Sequence, residues 1–473
     1  MRFMALARIK FMKSTILFTG LLTLSFAQGC SMISVPTETA QIETAKEFWS
    51  QWRGPLATGV APAAHPPSEW SETKNVKWKI KTPGFGTSTP IIWGDQVFIL
   101  MAIPTGKKVE TKKSETPSAE PTLPGASRRP GGSLRSETPD EAYQFVVLCL
   151  DRNTGKTLWQ KVARELVPHE GHHKDHGFAS ASPVTDGEHL IVSFGSRGLY
   201  CYDMKGKLIW EKDLGDLQTR MSFGEGASPA LHGNTVVMNW DHEGEDDFII
   251  ALDKRTGKEL WRTPRKDATT WSTPLIVEHG GKAQVIVNAT EKVISYDLAT
   301  GKEIWSTTGQ TVNVIPSPVT DGKVVYAMSG FRGAMVQAIQ LGRTGDLTGT
   351  DAILWTHNKS TPYVPSPLLV DGLLYFVSGN NGQLSCFDAK TGKAHFEAER
   401  LEGLFGIYAS PVSAKDRVYV LGREGACLIL KKGPTLEILA TNKLDDKADA
   451  SIAMVGKQLF IRGHQNLYCI EEK

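Results

Sequence analysis

Four histidines fall within the eleven residues Pro168-His169-Glu170-Gly171-His172-His173-Lys174-Asp175-His176-Gly177-Phe178. Imidazoles and carboxylates at that density can ligate zinc, and His169-Glu170-Gly171-His172-His173 satisfies the H-E-x-x-H pattern of zinc hydrolases. The pattern works only on a helix, which puts both imidazoles on one face. A segment opened by Pro168 and broken by Gly171 does not make that helix. The expectation is a solvated polar loop with no dedicated metal site; the alternative is adventitious or structural metal binding by some of His169, His172, His173 and His176. The acidic run Asp241-His242-Glu243-Gly244-Glu245-Asp246-Asp247 lacks the D-x-[DN]-x-[DN]-G spacing of a calcium loop. Arg220-Met221-Ser222-Phe223-Gly224-Glu225-Gly226, Thr270-Trp271 and Pro362-Tyr363-Val364-Pro365 add a cation, a carboxylate and aromatic faces. Converging in one place, His176, Arg220, Glu225, Asp241, Glu243, Trp271 and Tyr363 would make a ligand-binding surface. No residue is assigned a catalytic role.

What must bring them together is a repeat. Ser/Thr-Pro marks stand at Thr89, Ser182, Ser228, Thr273, Ser317, Ser366 and Ser410, with Ser451-Ile452 as a degenerate eighth. After the first interval they are 41 to 49 residues apart, the length of one four-stranded propeller blade. Within a unit, runs such as Leu190-Ile191-Val192-Ser193-Phe194 alternate with period two and follow Asp-Gly turns, as strands joined by tight hairpins do. A second hairpin, Asp151-Arg152-Asn153-Thr154-Gly155-Lys156-Thr157-Leu158-Trp159, recurs at Asp253 to Trp261 and Asp297 to Trp305. Its glycine serves a turn with positive φ, and its closing ring can lie against the neighbouring sheet. Trp78, Trp159, Trp210, Trp261, Trp305 and Trp355 are therefore expected to pack between blades.

The two ends of the chain complement one another. The last unit stops after its third strand at Leu467-Tyr468-Cys469-Ile470, and a lone strand, Val76-Lys77-Trp78-Lys79-Ile80, precedes the first mark. The fold expected is an all-β, eight-bladed propeller of four-stranded antiparallel blades over residues 75–473, closed by pairing of its terminal strands, which leaves no open sheet edge. Cys149, Cys201, Cys386 and Cys469 recur at one strand position in separate blades, too far apart to bridge, so no disulfide is expected.

The remaining segments have other roles. Basic residues followed by the apolar stretch Ser14 to Ala27 read as an export signal within residues 1–30, started from Met1 or Met12. Cleavage falls either after Ser25-Phe26-Ala27 or before Cys30, where Ala27-Gln28-Gly29-Cys30 is a near-match to a lipobox and Cys30 would carry the lipid. Residues 31–74 form a polar tether and the leader Phe48-Trp49-Ser50-Gln51-Trp52-Arg53-Gly54-Pro55, and residues 104–141 are a polar, flexible insertion in blade one. With 53 Lys+Arg against 51 Asp+Glu, the chain has no bulk charge to attract nucleic acid.

Ala251-Leu252-Asp253-Lys254-Arg255-Thr256-Gly257-Lys258-Glu259-Leu260-Trp261 resembles the tryptophan-docking repeat of the pyrroloquinoline-quinone (PQQ) family of eight-bladed propellers. The leader is similar to one in PQQ-like secreted proteins of planctomycete-type bacteria. The resemblance implies the fold and leaves the chemistry open, since the repeat builds both quinone-dependent alcohol and sugar dehydrogenases and the non-catalytic envelope assembly lipoprotein BamB. Many of the dehydrogenases carry a vicinal Cys-Cys pair, a carboxylate-amide-carboxylate Ca²⁺ set and an Asp base; the pair is missing here, and neither the set nor the base can be matched to residues of this chain. The expectation is a BamB-like, exported, non-catalytic scaffold of the cell envelope, periplasmic or lipid-anchored. It is expected to be monomeric, without a cofactor, and to bind envelope proteins or a small ligand or glycan. The alternatives are a quinoprotein oxidoreductase using PQQ with Ca²⁺, and a carbohydrate-binding propeller.

Overall fold

The computed structural model describes residues 46–108, 136–378 and 381–472; the export signal, Cys30 and the middle of the blade-one insertion lie outside the described residues. Eight antiparallel sheets follow in chain order. Blades 1 to 7 each draw four strands from one repeat, consecutive in all but blade 5, where Gly345–Asp346 intervenes between the third and the fourth. Blade 8 takes Ala453–Val455, Gln458–Arg462 and Asn466–Glu471 from the C-terminal end and Val76–Lys81 from the N-terminal side. In that last pairing Trp78 is opposite Cys469 and Ile80 opposite Leu467, so the expected ring closure is what the structure has. Two short 3₁₀ turns, Gly195–Arg197 and Arg220–Ser222, are the only helical elements among the described residues.

The apolar alternation read from the sequence buries the three inner strands of each blade, as in Val97–Met101 and Phe145–Leu150, and leaves the outermost strand half-wet. Contact between blades is then made by tryptophan. The Nε1 of Trp78, Trp159, Trp210, Trp261 and Trp355 donates to the carbonyl of Arg152, Met204, Lys254, Leu298 and Ala389, at 2.9, 3.1, 2.7, 2.8 and 3.0 Å. Each acceptor follows the Asp that opens the next blade's Gly-Lys hairpin, which is Thr-Gly-Lys in all but blade 2. The hairpin glycine explains itself there: Gly257 has φ +67°, and a Cβ on it would stand 2.8 Å from the Trp210 ring. Left-handed backbone and close ring approach both exclude a side chain. Gly155, Gly206, Gly301 and Gly392 stand in the same relation to Trp78, Trp159, Trp261 and Trp355. Trp305 differs, bonding Gln284 of its own blade at 3.1 Å, because the next blade replaces this hairpin with a longer excursion. Gly345–Asp346 of that excursion adds a parallel fifth strand to the outer edge of blade 4.

The Ser/Thr-Pro marks form an inner ring. Proceeding around the channel, the N–H of Thr89, Ser182, Ser228, Thr273, Ser317, Ser366 and Ser410 donates to the hydroxyl of the next blade's mark at 2.9–3.0 Å. Proline on the C-terminal side holds each of the seven in the extended conformation this requires.

The leader crosses this ring. Trp49 and Ser50 accept from Ile92 of blade 1 and Thr185 of blade 2, and Thr58 and Gly59 accept from Leu369 of blade 6 and Ser413 of blade 7, on the opposite side. Arg53 is fully buried midway, donating from Nη2 to the carbonyls of Pro367 and Pro411 at 2.7 and 3.1 Å. Desolvation without a carboxylate partner lowers its pKa to about 9. The strap closes the channel on the side where the first hairpins turn. In blade 1 the ladder continues into the insertion, pairing Pro104 with Tyr143 and Lys108 with Glu141, so the ends of the 104–141 segment are strand.

Candidate functional site

The channel that remains is a cavity of about 280 Å³ with the strap as its floor, to which Trp52 contributes. Its waist is the ring of Ser and Thr hydroxyls, and its upper wall comes from loops between blades: His173, Asp175 and His176 after blade 1, Phe223 after blade 2, Trp271 after blade 3, Tyr363 after blade 5, Tyr408 after blade 6 and Asp449 after blade 7. Sequence-distant loops meet here because propeller topology sends every such loop to one face.

The aromatic rings are held in place. Trp271 donates from Nε1 to the Gly224 carbonyl at 2.6 Å. Tyr363 is stacked on Phe331 with centroids 4.9 Å apart. Phe223 meets the edge of His173 at 5.1 Å, and Tyr408 lies 4.6 Å beneath the Arg423 guanidinium. Arg423 in turn bridges Asp175 at 2.8 Å and Asp449 at 3.1 Å, while Asp449 also receives the His464 imidazole at 2.8 Å. Burial opposes charge on both Asp175 and Arg423, yet their mutual attraction wins: the carboxyl is held below its ordinary range and the guanidinium above its own. His176 sits between Ser180 Oγ at 2.9 Å and the Glu225 carbonyl at 3.1 Å. Desolvation first, and then the nearby His172, bring its pKa down to about 4, so the ring is neutral at physiological pH.

Of the seven residues put forward from sequence, His176, Trp271 and Tyr363 line this cavity. Glu225 lies behind the wall, clamped by the Arg197 guanidinium and by the Ser196 N–H and hydroxyl at 2.7 and 2.6 Å. Asp241 is wholly buried between blades 3 and 4, where Arg265 Nε reaches it at 2.6 Å and Asn239 at 2.9 Å; burial raises its pKa despite the arginine. Glu243 is exposed and accepts from the Thr269 hydroxyl at 3.0 Å. Arg220 sits on the 3₁₀ turn outside the cavity lining, its N–H donating to Thr269.

The four loop histidines do not converge. His172 bonds the His173 carbonyl and packs edge-on to Phe178, His173 faces Phe223, and His176 turns inward. His169 instead lies with Glu170 and Glu225, all three offering ligand atoms within 4.8 Å of one another, the one such grouping among the described residues. All three are already engaged: His169 Nε2 with the Leu217 carbonyl at 2.7 Å, Glu170 with Thr219, and Glu225 with Arg197. Sequence reasoning missed Tyr408, Arg423, Asp449 and Trp52. Only Trp52 had a visible signal, two tryptophans in an otherwise polar leader.

Comparison with known proteins agrees with this geometry. The model of the family described as outer membrane protein assembly factor BamB matches residues 144–398, more than half of the chain. No curated protein sequence matches. Among solved structures, BamB from Moraxella catarrhalis superposes with a TM-score of 0.50 at 14% identity, covering 71% of this chain and 95% of that one. Quinohemoprotein alcohol dehydrogenase from Comamonas testosteroni gives 0.57 at 12%, covering 91% and 81%. The computationally designed Ika8 protein gives 0.50 at 14%, covering 83% and 97%. At these identities the superpositions speak for the fold, and the dehydrogenase among them brings no chemistry with it. The chain belongs to the PQQ-repeat propeller family whose model is named for the outer membrane assembly factor BamB.

Proposed function

We propose that this protein is an exported, non-catalytic binding scaffold of the bacterial envelope, similar in role to BamB. The observation that carries the proposal is the asymmetry of the ring: one mouth is sealed by the Trp49 to Ala61 strap, and the other presents loops from most of the blades around a cavity with rigid walls. A closed propeller has no free sheet edge inside the ring, so recognition falls to that loop-bearing face and to the outer strands.

The residues of the cavity do not fit PQQ with Ca²⁺. PQQ is a tricarboxylate, and the acidic side chains facing it would be Asp175 and Asp449, which share the single guanidinium of Arg423. Arg423 itself stands behind them, and no arginine or lysine lines the cavity. A Ca²⁺ there would offset the two aspartates, but the three carboxylates of PQQ would still have no lining arginine or lysine to pair with. Capture of envelope proteins by tagged full-length protein tests the scaffold, and failure to enrich any of them counts against it. Dye-linked alcohol or sugar oxidation after addition of PQQ and Ca²⁺ would overturn it.

A further inference from the structure

The polar groups of the cavity specify what can fill it. Seven residues of the inner ring line it: Thr89, Ser182, Ser228, Thr273, Ser317, Ser410 and Ser451. All but Thr89 accept an N–H from the preceding blade, which fixes the oxygen, and none of those six donates its own proton to a protein acceptor among the described residues. The waist is thus a ring of hydroxyl donors around the channel. Above it stand two carboxylates bridged by Arg423: Asp175, 23% exposed, and Asp449, only 4% exposed with Oδ2 already held by Arg423 and His464. Around both levels are five aromatic rings, Trp52, Phe223, Trp271, Tyr363 and Tyr408.

Three ligand chemistries fail against this lining. A hydrocarbon would strand the hydroxyls and carboxylates without partners, at a desolvation cost for each. An anion would meet the two carboxylates with their one cation already engaged. An ammonium ion would suit the carboxylates and the rings but leave the hydroxyl donors without acceptors. A neutral polyol with an apolar face satisfies all three groups: its hydroxyls donate to the more exposed carboxylate, Asp175, and accept from the ring of serines, and its C–H face lies on an aromatic plane. The volume, about 280 Å³, is at the small end of ligand pockets, which begin at roughly 300 Å³, and admits one sugar ring at a time. Because Trp271, Tyr363 and Tyr408 are already pinned by their neighbours, ordering them on binding costs little entropy.

We infer that the central cavity binds a neutral pyranose, either as a free sugar or as the terminal unit of a glycan. The inference rests on the non-catalytic reading above and names the ligand of that same face.

The test is calorimetric titration of the full-length protein, with tryptophan fluorescence as a second readout, against glucose, galactose, N-acetylglucosamine, their methyl glycosides, and cellobiose and chitobiose. Saturable binding of at least one of them is expected. Binding of the methyl glycosides and disaccharides at least as tight as that of the free monosaccharides identifies a glycan end as the source, and preference for the free monosaccharides, with their anomeric hydroxyl, a free sugar. Trp271→Ala and Tyr363→Ala should each weaken binding about tenfold, the loss of one stacked ring. Leu158→Ala, on an exposed outer strand, should leave it unchanged. Should Trp271→Ala misfold by circular dichroism, Trp52→Leu from the floor replaces it. Absence of saturable binding across the panel overturns the inference, as does binding unaffected by the ring variants, or equal displacement by acetate or choline. The two proposals fail separately: partner capture without sugar binding removes the inference alone, whereas oxidation of a bound sugar in the presence of PQQ removes the non-catalytic reading and leaves the ligand class standing.

Discussion

Trp210 and Gly257 offer a quantitative test of how the blades are joined. Trp210 is nearly buried, donates to Lys254 at 2.7 Å and lies over Gly257 of the next blade. Truncation to alanine removes a large buried ring and its hydrogen bond, a loss of about 3–5 kcal/mol. Gly257→Ala adds a Cβ at φ +67°, costing about 1–2 kcal/mol for the left-handed backbone, and also places that carbon 2.8 Å from the ring, an overlap of about 1–3 kcal/mol. With the ring already gone, the overlap vanishes and only the backbone term remains. The double variant should therefore be less destabilised than the sum of the singles by about 1–3 kcal/mol. Gly322, also at positive φ but with nothing near its Cβ position, should show no coupling to Trp210. Guanidinium unfolding followed by circular dichroism, with m-values checked for constancy, measures all of these. Additivity of Trp210→Ala and Gly257→Ala within about 0.5 kcal/mol would show that the ring does not rest on that glycine, and the account of blade docking would fall.

Other consequences are as direct. The folded state keeps His176 neutral down to about pH 4, whereas the unfolded chain takes up a proton near 6.5. Stability should therefore fall as pH drops from 6.5 to about 4, by up to about 3 kcal/mol. His176→Gln should flatten that part of the stability profile, and an unchanged slope would refute the assignment. Arg53→Ala strips the strap of its bonds to the Pro367 and Pro411 carbonyls and leaves a void, so a loss of about 2–4 kcal/mol is expected; Arg53→Lys, with one compact ammonium, should rescue little of it. The five cysteines of the propeller are buried and free, and burial pushes the thiols of Cys149, Cys201, Cys386 and Cys469 up to about 12. In a Cys30→Ser background none should react with a thiol reagent at pH 8 until denaturant is added, when all five should; fast reaction of a native thiol would contradict their placement.

Sequence alone determined the architecture. Alternation of period two, a recurrence near 45 residues and a terminal strand lacking a partner are local patterns, and each has one geometric solution: strands, blades and a closed ring. It also marked Ser/Thr-Pro and Trp as the joints, because a residue repeated at one position in unit after unit serves the contact between units. The site was only half legible. His176, Trp271 and Tyr363 stand in irregular loops bound for one face, and so could be found. Glu225 and Asp241 looked equally free in sequence, yet Arg197 and Arg265, 28 and 24 residues away, close on them and turn them into structural ion pairs. Tyr408, Arg423 and Asp449 carry no local signal, since the Asp175 they surround comes from a blade on the far side of the chain's numbering. Glu225 and Asp241 meet their arginines as the loops of one blade fold together, whereas the partners of Asp175 are decided only when the ring closes, because parts early and late in the sequence meet there and an electrostatic partner is set by distance in space.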